Sequence, residues 1–222
     1  PVYIWEDPGY GHAHAIYAAQ VAQGGQVRVF YELYTQDIIT EDLIDICKNQ
    51  PWWGSEQKKL VIDPNYKSQH HATHSIEEIW LEKTGLTAYG RKIRISEGTE
   101  RLKSFLKVNP LTGEAGIIFS PTCKGFLSEV GAEPNPFDGE TKVYSWKQDR
   151  NGNVIGGDPE DKWNDGIKAV IYGLVEEFGL VASGWDKEFV MKRHGSEQRD
   201  PRENPAARRF RELNPVAGSK RW

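Results

Sequence analysis

Three aspartates stand where carboxylates could act together. Asp7 ends the run Val2-Tyr-Ile-Trp-Glu-Asp, Asp63 ends Lys59-Leu-Val-Ile-Asp, and Asp165 opens Asp-Gly-Ile-Lys-Ala-Val-Ile-Tyr-Gly-Leu. An apolar, β-rich run that stops at an Asp followed by Pro puts the carboxylate at the carboxyl edge of a sheet, where ligands of open α/β sheets bind. With the first two strands as neighbours and the helix docked beside them, the three carboxylates converge on an all-oxygen cluster suited to Mg²⁺ or Mn²⁺. The chemistry such a cluster supports is phosphodiester cleavage, in which two divalent ions about 3.5–4 Å apart activate a water and stabilise the leaving oxygen. Taken singly, each aspartate has a plainer reading, because Asp ends strands and starts helices for backbone reasons.

The residues around the trio carry weaker signals. Glu6 adjoins Asp7 but belongs to the opposite face of the strand. Gly9 would let a phosphate backbone approach closely, and equally suits a hairpin turn needing positive φ. Asn164 reads first as the cap of the last helix. Asp158 and Asp161 read as solvated loop charge, with a fourth carboxylate ligand as the alternative. His12 and His14 lie near Asp7, and His70, His71 and His74 near Asp63. The helical zinc-hydrolase pattern needs a Glu beside its first His and finds none here, so surface or loop histidine is the simplest reading, with help in proton transfer or a phosphate contact as the alternative.

The elements that must position these side chains follow from period and punctuation. Residues 2–7, 14–21 and 26–33 read as an antiparallel meander separated by Pro-Gly-Tyr-Gly and Gln-Gly-Gly-Gln turns. Thr40 caps a helix to about Asn49, residues 59–63 form a strand, and a helix over 73–83 starts behind Thr73 or Ser75. Lys92–Ile95 reads as a short strand, Gly98–Val108 as a helix, 116–119 as a short buried strand, and Pro121–Val130 as a helix. Between 131 and 162 the text is rich in Gly, Pro and charge. One island stands out there, Val143-Tyr-Ser-Trp and Asn153-Val-Ile joined across Arg150-Asn-Gly-Asn, a hairpin signal. The last helix, 163–178, stops at Gly179. Pro51-Trp-Trp-Gly reads as cover for a helix–strand corner, with an aromatic binding module as the alternative.

At 222 residues the chain can bury a proper core. Cys47 and Cys123 fit neither a disulfide scaffold nor a zinc ribbon. No apolar run is long enough to span a bilayer and no export leader opens the chain, which fits a soluble, non-secreted protein. The chain begins at Pro1 with its only Met at 191, as expected of a piece of something longer, and it lacks a Gly-x-x-x-x-Gly-Lys-Ser/Thr loop, so ATP hydrolysis is not expected. The net charge of −4 divides unevenly: residues 187–222 hold 10 Lys/Arg against 5 Asp/Glu, leaving 18 against 27 before them. So acidic a body predicts weak, salt-sensitive DNA affinity. The expected division is a domain over 1–186 and a basic, flexible tail over 187–222.

The order of elements, an Asp-x-Gly hairpin, a long strand, a helix, a strand ending in Asp and a last helix opening with Asp, is similar to that of ribonuclease H-like nucleases. From Asp7 to Gly179 the chain resembles the C-terminal nuclease domain of the large terminase subunit, the DNA-packaging motor of tailed bacteriophages. The resemblance rests on Trp5-Glu-Asp-Pro-Gly-Tyr, Val61-Ile-Asp-Pro, Gly98-Thr-Glu-Arg-Leu-Lys-Ser-Phe-Leu, Gly116-Ile-Ile-Phe-Ser-Pro-Thr-Cys-Lys-Gly-Phe-Leu-Ser-Glu-Val and, most diagnostically, Lys162-Trp-Asn-Asp-Gly-Ile-Lys-Ala-Val-Ile-Tyr-Gly-Leu.

It implies an α/β, ribonuclease H-like mixed sheet of about five strands flanked by helices, with an auxiliary β-hairpin at 141–156. It implies a two-metal endonuclease using Mg or Mn, in which Asp7 bridges both ions, Asp63 holds the first and Asp165 the second. The substrate implied is double-stranded concatemeric viral DNA, cut with little sequence preference and without a covalent protein intermediate. The partners implied are the portal protein, the small terminase subunit and an ATPase domain of the same polypeptide, in the cytoplasm of an infected bacterium. Since the family places its hairpin beside the cleft, Lys147, Arg150 and Asn151 are the first DNA-contact candidates, with Lys162, Lys168 and Lys124 as phosphate contacts that solvated helix faces explain more simply. The alternatives are another ribonuclease H-like nuclease, such as a junction resolvase, and a catalytically inactive docking module.

Overall fold

Strand β1 (Val2–Asp7) is buried along its whole length. A strand buried on both faces belongs at the centre of a sheet covered on both sides. The computed structural model, which describes residues 1–65, 70–71 and 74–181 apart from the side chains of His70, His71, Gly157 and Asp158, puts it there. β1 pairs antiparallel with β2 (His14–Val21) and parallel with β4 (Lys58–Ile62). β2 pairs antiparallel with β3 (Val27–Thr35), with a register shift at Ala18/Ala19. The expected meander is therefore present, and β4 returns to its open edge. A two-residue antiparallel pair, β5 (His70–His71) and β6 (His74–Ser75), precedes the second helix. Parallel strands β7 (Ala88–Tyr89) beside β4 and β8 (Ile117–Phe119) beside β3 complete a six-stranded sheet in the order β7-β4-β1-β2-β3-β8.

Five α-helices among the described residues cover it. Helices α1 (Thr40–Lys48) and α2 (Ile76–Thr84) bury Leu43, Ile44, Cys47, Ile76, Ile79 and Trp80 against Val2, Ile4, Ile16, Leu60 and Ile62. On the opposite face α3 (Ile95–Leu106), α4 (Lys124–Glu129) and α5 (Asp165–Phe178) pack on Tyr3, Trp5, Tyr17, Val27 and Val61. The period of two along β1 and β4 thus sorts each strand's side chains between the two helix layers. A 3₁₀ turn at Pro51–Gly54 packs Trp52 edge-on to Phe30 and tilted on Tyr31 and stacks Trp53 on Trp80, the corner cover expected for the Trp pair.

Several boundaries differ from those expected. Thr40 is the first residue of α1 rather than its cap, and Ile39 precedes it without a side-chain bond. Ser75, not Thr73, caps α2 in a reciprocal capping box with Glu78. Residues 91–94 form no strand, and Ile95 already opens α3; the sheet partner is the earlier Ala88–Tyr89, which stops at Gly90, where a Cβ would collide with the Ile62 carbonyl. Helix α4 starts at Lys124 rather than Pro121, because the chain first turns with Cys123 N–H donating to Ser120 O at 2.9 Å.

The auxiliary hairpin is β9 (Trp146–Gln148) with β10 (Val154–Pro159), so its first strand begins three residues later than the Val143 expected. Asp149 closes it by accepting from the Asn151 and Asn153 amides at 2.8 and 2.9 Å, with Gly152 at φ +83°. No described helix is long and apolar enough to cross a membrane. The expected tail over 187–222 and the expected boundary at 186 lie outside the described residues.

Candidate metal centre

Asp7 and Asp63 are brought together by strand register. β1 and β4 are parallel with Glu6 opposite Ile62, and the ladder runs on as the Asp63 N–H donates to Glu6 O at 3.1 Å. Asp7 is therefore level with Asp63, roughly 4.7–4.9 Å away in strand spacing. Alternation puts both with Trp5 and Val61 on the α5 side, while Glu6 turns the other way, as expected, so it faces away from the trio. There Glu6 Oε1 is 2.7 Å from His14 Nε2 and His14 Nδ1 is 3.0 Å from Gly9 O, with both side chains buried. The surface reading of His14 is thus corrected. Its place on a strand flanked by Ala13 and Ala15 puts it indoors, where it ties the β1–β2 turn to the strand.

Asp165 arrives on the first turn of α5, and two glycines let that helix lie close to the sheet. A Cβ at Gly173 would overlap the Trp5 indole, and one at Gly166 would overlap the Tyr17 hydroxyl. The amides of Gly166 and Ile167 donate to Glu129 Oε1 and Oε2 at 2.9 and 2.7 Å, and the Tyr34 hydroxyl donates to Glu129 at 2.8 Å. A carboxylate on the exposed amides and positive end of a helix is a strong cap. The expected cap, Asn164, makes no capping bond; its amide instead donates to Asp161 at 3.2 Å.

The three carboxylates feel one another. Burial pushes Asp7 well above the usual carboxylate range; Asp63 and Asp165 push it further, while Lys168 works the other way. Burial also raises Asp63, against the Asn65 amide, which donates to Oδ1 at 2.8 Å, and against Asp7, Lys168 and the Tyr172 hydroxyl. Asp63 is thus among the neighbours that push Asp7 up, as expected of two carboxyls placed side by side. Asp165 Oδ1 lies 2.7 Å from His12 Nδ1, a bond that raises the His12 pKa, with half of the His12 side chain exposed.

Among the described residues no three His, Cys, Asp or Glu side chains close around one point as ligands of a single ion. What the donors do offer is a pair, Asp7 with Asp63, and a third carboxylate across from it. Asp7 Oδ1 is buried without a hydrogen-bond partner. A buried polar oxygen with no partner is costly. Hard oxygen donors, one of them unsatisfied, fit divalent cations.

Comparison with known proteins bears on the fold. No protein-family model matches the chain, and no curated protein matches it by sequence. Among solved structures it is similar to the large terminase of the thermophilic bacteriophage D6E in complex with ATP-γ-S, at 13% identity and TM-score 0.54 over 78% of this chain. It is similar also to the P22 large terminase nuclease domain, at 15% identity and TM-score 0.51 over 81% of this chain and 82% of that one. Its fold is that of the large terminase nuclease domain, a ribonuclease H-like one. The chain spans 39% of the D6E chain. The nuclease domain of the bacteriophage SPP1 large terminase, with bound Mn, scores 0.49 at 15% identity over 79% of this chain and 86% of that one.

Within this terminase-type fold, two clefts flank the start of α5 and share Asp161, Asn164 and Lys168. One, about 540 Å³, runs past His12, Tyr34, Phe137, Lys162 and Asp165. The other, about 320 Å³, is bordered by Asn65, Arg94, Tyr144, Lys147 and Tyr172. Of the DNA-contact candidates, Lys147 and Lys162 line a cleft, whereas Arg150 and Asn151 sit exposed at the hairpin turn and line neither. Gly9 lies in the β1–β2 turn but does not have positive φ, so that reason for a glycine fails; its need is space, since a Cβ would strike Ala13 O and the His12 ring. Lys124 is an exposed ion pair with Glu133.

Lys168 is not the solvated helix charge it reads as. It lies mostly buried at the site, 2.6 Å from Asp161 Oδ1. Reading α5 from Asp165 at helical spacing would have found it, because 165, 168 and 172 share one face. No comparable signal marks Glu129, Arg94 or Tyr144. The side chains of Asp158, His70 and His71 are not among those described.

Proposed function

We propose that this chain is a divalent-metal-dependent endonuclease that cuts double-stranded viral DNA with little sequence preference, as the nuclease part of a genome-packaging terminase. The observation that carries the reading is the pairing of Asp7 with Asp63 at two in-register parallel strand ends, with Asp165 at the start of α5 near enough to act on Asp7. The terminase-type fold supports the same reading.

Asp7 and Asp63 would hold one Mg²⁺ or Mn²⁺, and Asp7 with Asp165 a second. Such ions, when bound, lower the pKa of the attacking water and take up negative charge on the phosphate. The chain's own groups prepare the ligands. Asn65 N–H and the Tyr172 hydroxyl fix Asp63, so its rotamer is set before any ion arrives. His12 occupies one oxygen of Asp165 and leaves the other for a second partner. Glu129 anchors the backbone just beyond Asp165. Lys147 and Arg94 on one side and Lys162 on the other offer cations to DNA phosphates, which position a duplex without reading its sequence. In this reading the partners are double-stranded DNA, an ATPase domain of the full-length polypeptide, the portal and the small terminase subunit, in the cytoplasm of the infected host.

The test is cleavage of supercoiled plasmid with Mn²⁺, with Mg²⁺ and with chelator. Nicking and linearisation that need metal and vanish in Asp7→Asn, Asp63→Asn and Asp165→Asn, each with its circular dichroism unchanged, are expected. Activity retained in any one removes that residue from the site. Preference for a four-way junction over linear duplex would mean a resolvase, and no cleavage under any metal would mean a docking module.

A further inference from the structure

Trp163 stands in a backbone conformation that does not suit it. Among the described residues two non-glycines have positive φ, Asp37 at 58° and Trp163 at 53°. Aspartate tolerates that region through its short polar side chain, whereas a bulky ring is strained there, and a glycine or asparagine would make the same turn into α5 more easily. The core does not require the ring either, since Trp163 is 41% exposed. Strain of this kind persists where the surroundings hold it, and it gathers at sites that bind and react. Here the ring is held by the Lys142 ammonium, 4.4 Å from its centroid, and Lys142 is itself paired with Asp138.

The position puts Trp163 beside the carboxylates. It lies two residues before Asp165 and borders the same cleft of about 540 Å³, together with Phe137, Tyr34 and Lys162. Phe137 is 42% exposed and stacks on Tyr34 with ring centroids 5.3 Å apart, and the Tyr34 hydroxyl is in turn fixed on Glu129. Two partly exposed rings, each backed by a fixed partner, thus border a cleft of the size that holds small flat molecules. Lysines meet phosphates, but apolar rings meet the faces of bases. A base inside a duplex has both faces covered by its neighbours, so an aromatic side chain can stack on it only at an end or where the strand is opened.

We infer that the cleft bordered by Trp163 and Phe137 stacks an unpaired nucleobase of the DNA strand presented to Asp165, so that the preferred substrate is a duplex opened at the cut. The inference rests on the nuclease reading of the carboxylates. Stacking is tolerant of base identity, because every base has a π-face, so it agrees with cutting at little sequence preference.

The experiment is fluorescence anisotropy of the full chain, with Ca²⁺ filling the carboxylates, on a labelled, fully paired duplex and on the same duplex carrying a short central run of mismatches. The wild type should bind the mismatched duplex about tenfold more tightly. Trp163→Gly, which suits the positive φ and so keeps the turn, should lose that excess, as should Phe137→Ala, with paired-duplex affinity and circular dichroism unchanged, while Trp163→Phe keeps most of it. Equal affinity of the wild type for the two duplexes, or an excess that survives in Trp163→Gly, overturns the inference; metal-dependent plasmid cleavage that is lost in Asp7→Asn would then leave the nuclease reading standing. DNA bound by none of the chains overturns the inference as well, and the nuclease reading falls with it only if plasmid cleavage under Mn²⁺ is absent too. Should Trp163→Gly not fold, Phe137→Ala is read in its place.

Discussion

At the scale of single residues, the site is built at a cost to the fold. Asp7 and Asp63 are both about 1% exposed and lie side by side, so without a cation burial disfavours the ionised form of each and Asp63 adds to that penalty on Asp7. Asp7→Asn removes one ionisable carboxyl and supplies an amide to hydrogen-bond Asp63. In chelator, Asp7→Asn should therefore melt above the wild type by a few degrees, a shift of about 1 kcal/mol in a domain of this size. The same substitution should abolish the rise in melting temperature that Mn²⁺ gives the wild type. Scanning fluorimetry with and without Mn²⁺ checks both, and an Asp7→Asn chain less stable than wild type in chelator would mean that the pair holds the fold rather than straining it. His14 makes the opposite case on the other face of β1. Its ring is sandwiched between Glu6 and Gly9 O, and it belongs to the architecture of the turn, not to the chemistry.

At the scale of elements, everything depends on how α5 lies on the sheet. Gly173 sits directly over Trp5 and Gly166 over Tyr17, with no room for a methyl group at either. Gly173→Ala should cost about 1–3 kcal/mol of stability, because the helix backbone and a fully buried indole cannot both yield. Denaturant unfolding measures it. Glu129→Gln replaces one of two accepting oxygens with a donor opposite the Gly166 and Ile167 amides, and should cost about 1–3 kcal/mol. It should also lower plasmid cleavage, since the first turn it anchors carries Asp165.

These contacts mark what sequence reading reaches and what it does not. β1, β4 and α5 were legible because a period of two or 3.6 and an Asp at the boundary are local signals. The aspartate trio was legible because parallel strands ending in the same way meet at one edge. Glu129 was not, because its partner amides are 37 and 38 residues further on and no spacing announces them. β7 was misplaced onto Lys92–Ile95 because a two-residue strand is too short to show alternation, and only the approach of Gly90 to Ile62 O shows where it stops.

At the scale of the whole molecule, buried carboxyls decide how stability answers to pH. Burial raises Asp7, Asp63 and Glu129, the last to about 8 despite its helix amides. When the folded-state pKa of an acid lies above its unfolded value, near 4, the folded chain binds more protons between the two, so the stabilisation is full below the unfolded pKa and is lost as pH rises through the folded one. In chelator the melting temperature should therefore fall as pH goes from about 5 to about 8. The Glu129 share of that slope should be absent from Glu129→Gln, which has nothing to deprotonate. Divalent cations compete with the protons on Asp7 and Asp63 but have no path to Glu129, whose oxygens are taken by backbone amides and Tyr34. Mn²⁺ should accordingly flatten the fall in the wild type only in part, and further in Glu129→Gln, where the half-buried Glu32, held by the Gly125 and Phe126 amides, still contributes. A melting temperature that rises between pH 5 and 8 in chelator would show that these three groups are ionised in the fold at a pH no higher than in the unfolded chain.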